Sequence, residues 1–199
     1  MIWRTLLTWL EAMLLAIGLL LGAWSAKVLL VSWYTQTLPI ATTKKTLPGD
    51  GAAGTSGPLP APGSVIAQLR APALQLSTVV LEGSDEQTLA RAAGHIEDTS
   101  LPGPQGNIGI AGHRDTIFRA LRRAQVGDEF DLVTPEGEYR YRVTRTLIVD
   151  PDDVYVLDPT GTPTLTLVTC WPFEFIGHAP KRFIVQAQLT TDVPLATTP

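Results

Sequence analysis

The chain has 199 residues, a net charge of -4 and a hydrophobic fraction of 45%. That length holds one domain with appendages, and an acidic balance without a basic patch argues against nucleic acid as a partner. A lone cysteine, Cys170, excludes an internal disulfide, and no CxxC or HExxH run points to zinc.

Ala12 to Val31 is a 20-residue apolar stretch whose one charge is Lys27. At about 1.5 Å per residue it matches the hydrocarbon core of a bilayer. Trp3, Trp9, Trp24 and Trp33 lie in or beside it, where interfacial rings are expected. The expectation is an N-terminal transmembrane anchor over 1–36, its helix over about 5–33. A buried core helix and a signal peptide cleaved near Ala23-Trp24-Ser25 are its rivals. Arg4 on one side and Lys27, Lys44 and Lys45 on the other leave the positive-inside rule nearly undecided. A cytoplasmic N-terminus with an extracytoplasmic domain is taken because a proline-rich linker and a domain with a lone thiol come after the span. Residues 37–63 carry five prolines and five glycines with no apolar period, which describes a linker.

A globular domain is expected over 64–190, with a polar tail over 191–199. Val65 to Leu69 and Leu76 to Leu81 read as strands, and Ser84 as the cap of a helix over Asp85 to Ala93. Leu101 to Gly106 is a loop, Asn107 to Gly112 a strand and Thr116 to Ala124 a helix. Glu129 to Val133 and Tyr139 to Val143 form a hairpin through Pro135-Glu136-Gly137. Tyr139, Tyr141 and Val143 share one face of it, and Arg140 and Arg142 the other. A separate strand comes next over Arg145 to Val149, then a turn at Asp150 to Asp153. Thr164 to Cys170 and Arg182 to Leu189 are the last strands, joined by the loop Trp171 to Lys181. Seven or eight strands with short helices and almost no βαβ spacing predict a mainly β fold, a closed antiparallel-rich barrel of about eight strands.

Three residues at strand edges suggest acyl transfer through a thioester. Cys170 ends the run Thr166-Leu167-Val168-Thr169-Cys170, His113 lies in Gly112-His113-Arg114-Asp115, and Arg182 opens Arg182-Phe183-Ile184-Val185. A thiolate attacks a carbonyl, an imidazole takes the thiol proton and returns one to the departing amine, and a fixed cation steadies the oxyanion. The simpler alternative for Cys170 is an inert buried cysteine. His95 and His178 are rival imidazoles, His95 being expected to make a structural hydrogen bond. Asp115 either orients His113 or caps the next helix. Asp150, Asp152 and Asp153 could suggest calcium, but they lack the twelve-residue loop and its central glycine, so no cofactor or metal is expected.

These runs together resemble the sortase family. The Thr-Leu-x-Thr-Cys strand end, the Gly-His-Arg-Asp run 57 residues before Cys170, and Arg182-Phe183 after it carry the likeness. Cys170-Trp171-Pro172-Phe173 through Gly177, Gly94-His95-Ile96, Leu101-Pro102-Gly103 and Ile148-Val149-Asp150-Pro151 are similar to class D sortases in particular. The likeness covers Ser64 to Gln188. It implies a membrane-anchored cysteine transpeptidase on an eight-stranded barrel. Such an enzyme cuts secreted proteins at a C-terminal sorting signal of the Leu-Pro-x-Thr type and passes the acyl group to an amine, on a cell-wall precursor or a pilin lysine. It implies Cys170 as nucleophile, His113 as general acid/base and Arg182 as the group holding substrate and oxyanion, with Thr169 and Trp171 touching substrate. Trp171, where tyrosine is common in that class, and His178 depart from the pattern, in the loop that shapes the groove. A hydrolase whose thioester is taken by water, and a membrane-tethered barrel that only binds peptides, are the alternatives.

Overall fold

Burial at period two builds a barrel in the computed structural model, which describes residues 59–175 and 177–194 together with 3, 9, 11, 13–20, 22 and 23. The strands are β1 (Val65–Ala71), β2 (Leu76–Glu82), β3 (Ala93–His95), β4 (Asn107–Ala111), β5 (Glu129–Val133), β6 (Gly137–Val149), β7 (Thr164–Trp171) and β8 (Lys181–Pro194). They close in the order β1-β2-β3-β4-β7-β8-β6-β5, with β5 returning to β1. Two pairs, β2 with β3 and β4 with β7, are parallel and the rest antiparallel. Alternate residues point inward: Ala67 and Leu69 from β1, Ile108 and Ile110 from β4, Phe130 and Leu132 from β5, Leu165 and Leu167 from β7, and Val185 and Ala187 from β8 join one core. Tyr139, Tyr141 and Val143 point into it from β6, on the shared face expected of the hairpin.

The opposite parity makes a second, smaller layer. Val168 and Ile184, with Val149, pack outside the barrel against Val156 and Leu157, which belong to a 3-10 turn, Val154–Leu157. A buried polar knot holds that turn down. Asn107 Nδ2 donates to the carbonyls of Val156 and Asp158, each at 3.0 Å, and Gln186 Nε2 to Val156 at 2.8 Å. The Thr166 hydroxyl donates to Asn107 Oδ1 at 2.7 Å. Every buried polar group in the knot thus has a partner, as burial demands.

Several expectations are corrected. The helix expected over 85–93 is one turn, Glu86–Leu89, and its cap is Asp85, whose side chain accepts from the Gln87 and Thr88 N–H groups. Ser84 turns to Glu97 instead, its hydroxyl 2.8 Å from Oε2. Ala93, expected as the last residue of that helix, opens β3 instead, because sheet pairing on both edges of that strand, to β2 and to β4, outweighs local propensity. Thr116 to Ala124 is a run of turns with a 3-10 segment, Arg119–Arg123, that buries Leu121. Arg145 to Val149 continues β6 through an irregularity between Val143 and Arg145. The tail expected from residue 191 is still strand, since β8 pairs with β6 as far as Gly137↔Pro194.

The chain divides into two compact units, Met1–Leu38 and Pro39–Pro199. In the first, the described residues are helical and exposed. No helix among the described residues is long and apolar enough to cross a membrane. Much of the expected anchor, and the linker up to residue 58, lie outside the described residues.

Candidate active site at the ends of β4, β7 and β8

Strand register brings the sequence-predicted trio to one end of the barrel. Cys170 is paired directly with Arg182 across the antiparallel β7–β8 ladder, and directly opposed residues of such a ladder share a face. β4 runs parallel to β7 with Ala111 beside Val168. The Gly112 N–H donates to the Val168 carbonyl at 3.1 Å, and His113 follows it, two residues past the end of β4 and at the same end of the barrel as Cys170. Parity sets the face. Thr166, Val168 and Cys170 lie outside the barrel, as do Asn107, Ala111 and His113, and Gln186, Ile184 and Arg182. The register aligns Gly109, Thr166 and Gln186 in one row, Ala111, Val168 and Ile184 in another, and Cys170 with Arg182 at the strand ends. Cys170 and Arg182 are partly buried and His113 is exposed.

Glycine and threonine shape this edge. A Cβ on Gly112 would lie 2.7 Å from the Phe118 ring, which is fully buried beneath the strand end. A Cβ on Gly109 would meet Thr99 and Leu157 at 2.9 and 3.0 Å. Both positions need the bare backbone for close packing. Thr169 is 3% exposed, and its hydroxyl donates to the Gly112 carbonyl at 2.6 Å. That hydroxyl is committed to the strand beside His113 rather than open to a ligand.

The walls at this end are the loops after β6 and β7. Lys181 Nζ meets Asp150 Oδ1 at 2.7 Å, tying the first residue of β8 to the turn after β6. Asp153 Oδ2 accepts from the Asp150 N–H, so these carboxylates serve the turn. No group of three or more acidic, histidine or cysteine side chains among the described residues could hold a metal ion. Arg182 Nη1 donates to the carbonyls of Ala179 and Lys181 at 3.3 and 3.1 Å, folding the loop end back on the guanidinium. Trp171 is partly buried and is joined to Pro172 by a cis peptide bond. Phe173 sets its ring edge-on to Phe183 at 5.4 Å.

His95 separates clearly from the other two imidazoles. His95 is 1% exposed, with Nδ1 3.0 Å from Glu82 Oε2. Its Nε2 lies 3.0 Å from the Ser100 carbonyl and 3.1 Å from the Thr99 hydroxyl. Both ring nitrogens are engaged in holding β3 and the loop after it, the structural role expected of it. His178 is exposed in the loop after β7, and Asp115 is exposed in the turn after His113.

Sequence reasoning passed over Arg114. Its Nη2 donates to the carbonyls of Phe175 at 2.6 Å and Gly177 at 2.9 Å, and its guanidinium sits 6.0 Å from the Phe175 ring centre. The partners are backbone carbonyls 61 and 63 residues away. No side-chain pattern in the sequence announces such a bond.

Comparison with known proteins agrees with the geometry. Residues 69–190 match the family model described as "Sortase domain". "Sortase D" of Bacillus subtilis (strain 168) is 35% identical over 133 residues, covering 66% of this chain and 67% of that protein. "Sortase A" of Bacillus anthracis is 30% identical over 129 residues, 63% of this chain and 60% of the relative's length. A Clostridium perfringens structure described as a Sortase D5 transpeptidase superposes with a TM-score of 0.61 at 33% identity, covering 66% of this chain and 82% of that one. The chain belongs to the sortase family of cysteine transpeptidases, with its resemblance strongest to class D.

Proposed function

We propose that this chain cleaves a Leu-Pro-x-Thr-type sorting signal on secreted proteins and joins the threonyl end to an amine, on a cell-wall precursor or a pilin lysine. The Cys170 sulfur, as thiolate, adds to the threonyl carbonyl carbon, and the negative charge moves to oxygen beside the Arg182 guanidinium. Collapse breaks the carbon–nitrogen bond, with His113 giving a proton to the departing amine. The acceptor amine then adds to the thioester and loses a proton to His113. The new amide forms as the sulfur leaves, which restores the thiolate and needs no cofactor.

The observation that carries this reading is the pairing of Cys170 with Arg182 across β7 and β8; His113, two residues past the end of the neighbouring β4, supports it. Among the described residues only Nη1 of Arg182 is engaged, in holding the loop, which leaves Nη2 and Nε to serve a substrate. The mostly apolar 20-residue stretch from Ala12 to Val31 supports an anchor that holds the barrel outside the cytoplasmic membrane.

The test uses the full-length chain with a Leu-Pro-x-Thr peptide library and an amine acceptor, read by mass spectrometry. Peptide joined to amine by the wild type and not by Cys170→Ala is expected. His113→Ala and Arg182→Ala should each lower kcat/KM at least about a hundredfold. Cleavage without joining would make the chain a hydrolase. Turnover surviving in Cys170→Ala, or a larger loss in His178→Ala than in His113→Ala, would overturn the assignments.

A further inference from the structure

The loop between β7 and β8 is held at three places. Phe173 is packed against Phe183 at its start, and Ala179 is bonded to Arg182 at its end. Its middle is held by Arg114, whose Nη2 takes the carbonyls of both Phe175 and Gly177. Gly177, at φ +98, makes the turn between these ends, a conformation that favours glycine. The other side-chain tie to this stretch among the described residues is the exposed pair Arg122–Glu174 at 3.9 Å, a distance and exposure at which ion pairs hold little. Arg114 is costly to keep in place. Its Nη1 is buried without a hydrogen-bond partner among the described residues, and burying an unpaired charged donor is unfavourable.

We infer that Arg114 is a positioning residue that fixes the loop as the wall from which the second nucleophile enters, and so sets how the acyl-enzyme divides between amine and water. The inference rests on the transfer reading above. Arg114 follows His113 directly, so its grip ties the loop middle to the backbone segment that carries the imidazole. Whatever attacks the thioester must surrender its proton to that imidazole, and a loop tied to the same segment bears on how it arrives. A fixed wall can seat an amine and exclude competing water. A loose one admits water and loses the seat. The first half-reaction depends on Cys170, His113 and Arg182, and among the described residues the Arg114 side chain hydrogen-bonds to none of them.

The experiment compares the full-length wild type with Arg114→Ala, Arg114→Lys and Arg122→Ala. Two readouts are taken: backbone hydrogen exchange across 172–180, and the ratio of hydrolysed to joined peptide with the acceptor KM. Both Arg114 variants should speed exchange within the loop and raise the hydrolysis ratio and acceptor KM about tenfold, with the donor-peptide KM within about twofold. Arg114→Lys keeps charge and stem but loses the planar fork, so it separates the effect from a folding defect. Arg122→Ala should match wild type in both readouts. Unchanged loop exchange overturns the inference. So does faster exchange with an unchanged ratio, which would leave the transpeptidase reading intact. A wild-type chain that is alkylated at Cys170 yet never joins peptide to amine sinks the transfer reading instead, and exchange alone then decides whether Arg114 holds the loop.

Discussion

Thr169 shows how one buried hydroxyl can act on a site without facing it. Resemblance expects it to touch substrate, but it is 3% exposed and donates to the Gly112 carbonyl at 2.6 Å. Gly112 precedes His113, so this bond fixes where the imidazole leaves β4. Thr169→Val keeps the shape and leaves that carbonyl without its donor, a loss of about 1–3 kcal/mol in stability. The two roles differ in kinetics. Displacing the His113 strand end should lower kcat with little change in donor KM, while a lost substrate contact would raise KM. Denaturant unfolding and steady-state kinetics on the same variant check both points. Unchanged stability together with a raised KM would return Thr169 to the substrate.

At the scale of the element, the segment around the Glu86–Leu89 turn carries a pH dependence. The Thr88 hydroxyl and N–H, with the Gln87 N–H, hold the Asp85 carboxyl below the ordinary carboxylate range. Glu97 is lowered too, first by its own backbone N–H and then by the Ser84 hydroxyl. A carboxyl whose folded pKa is depressed contributes stability above its unfolded pKa and loses it as the pH falls through the folded one. The window therefore opens downward from about pH 4, where free carboxyls titrate. Asp85→Asn keeps a good cap and cannot titrate. The fall in Tm between about pH 6 and pH 3 should be smaller in that variant than in wild type. An identical fall would remove Asp85 from the acid response. This segment is also where the sequence was least legible. Ser84 and Asp85 are both good caps, and the choice between them rests on Glu97, 13 residues away from Ser84. Ala93–His95 is too short to show a period, and its strand identity comes from neighbours on both sides. Long alternating runs such as Tyr139 to Val143, by contrast, announce face and partner together. The Cys170, His113 and Arg182 runs stand out as candidates because their residue types suggest a chemistry, whereas the Arg114 bonds are to backbone and leave no residue type to read.

Across the whole molecule, closure is what gives the site its geometry, and the last strand does much of the closing. β8 lies between β7 and β6, so the strand that carries Arg182 at its start also pairs with Gly137 to Arg140 at its end. Compositional reading ends the domain near residue 190 because Thr190 to Pro199 lacks apolar alternation. Backbone pairing does not need it: a polar strand adds to a sheet when its neighbour offers a free edge of N–H and C=O groups. Ending the chain after Thr190 removes the partners of Gly137, Glu138, Tyr139 and Arg140 on that side. At about 0.5–1.5 kcal/mol net for each ladder bond, four residues of pairing are worth about 2–6 kcal/mol. For a chain of this size that lowers Tm by roughly 5–25 °C. Cys170 and Arg182 lie at the other end of β8, so the truncated protein, while folded, should keep its rate of Cys170 alkylation and its kcat within about twofold. Thermal unfolding and kinetics at a temperature below both transitions check this. A Tm unchanged by the truncation would show that residues 191–194 contribute nothing to the barrel. A collapse of kcat at full folding would mean that the strand's far end governs the site, contrary to additivity between distant positions.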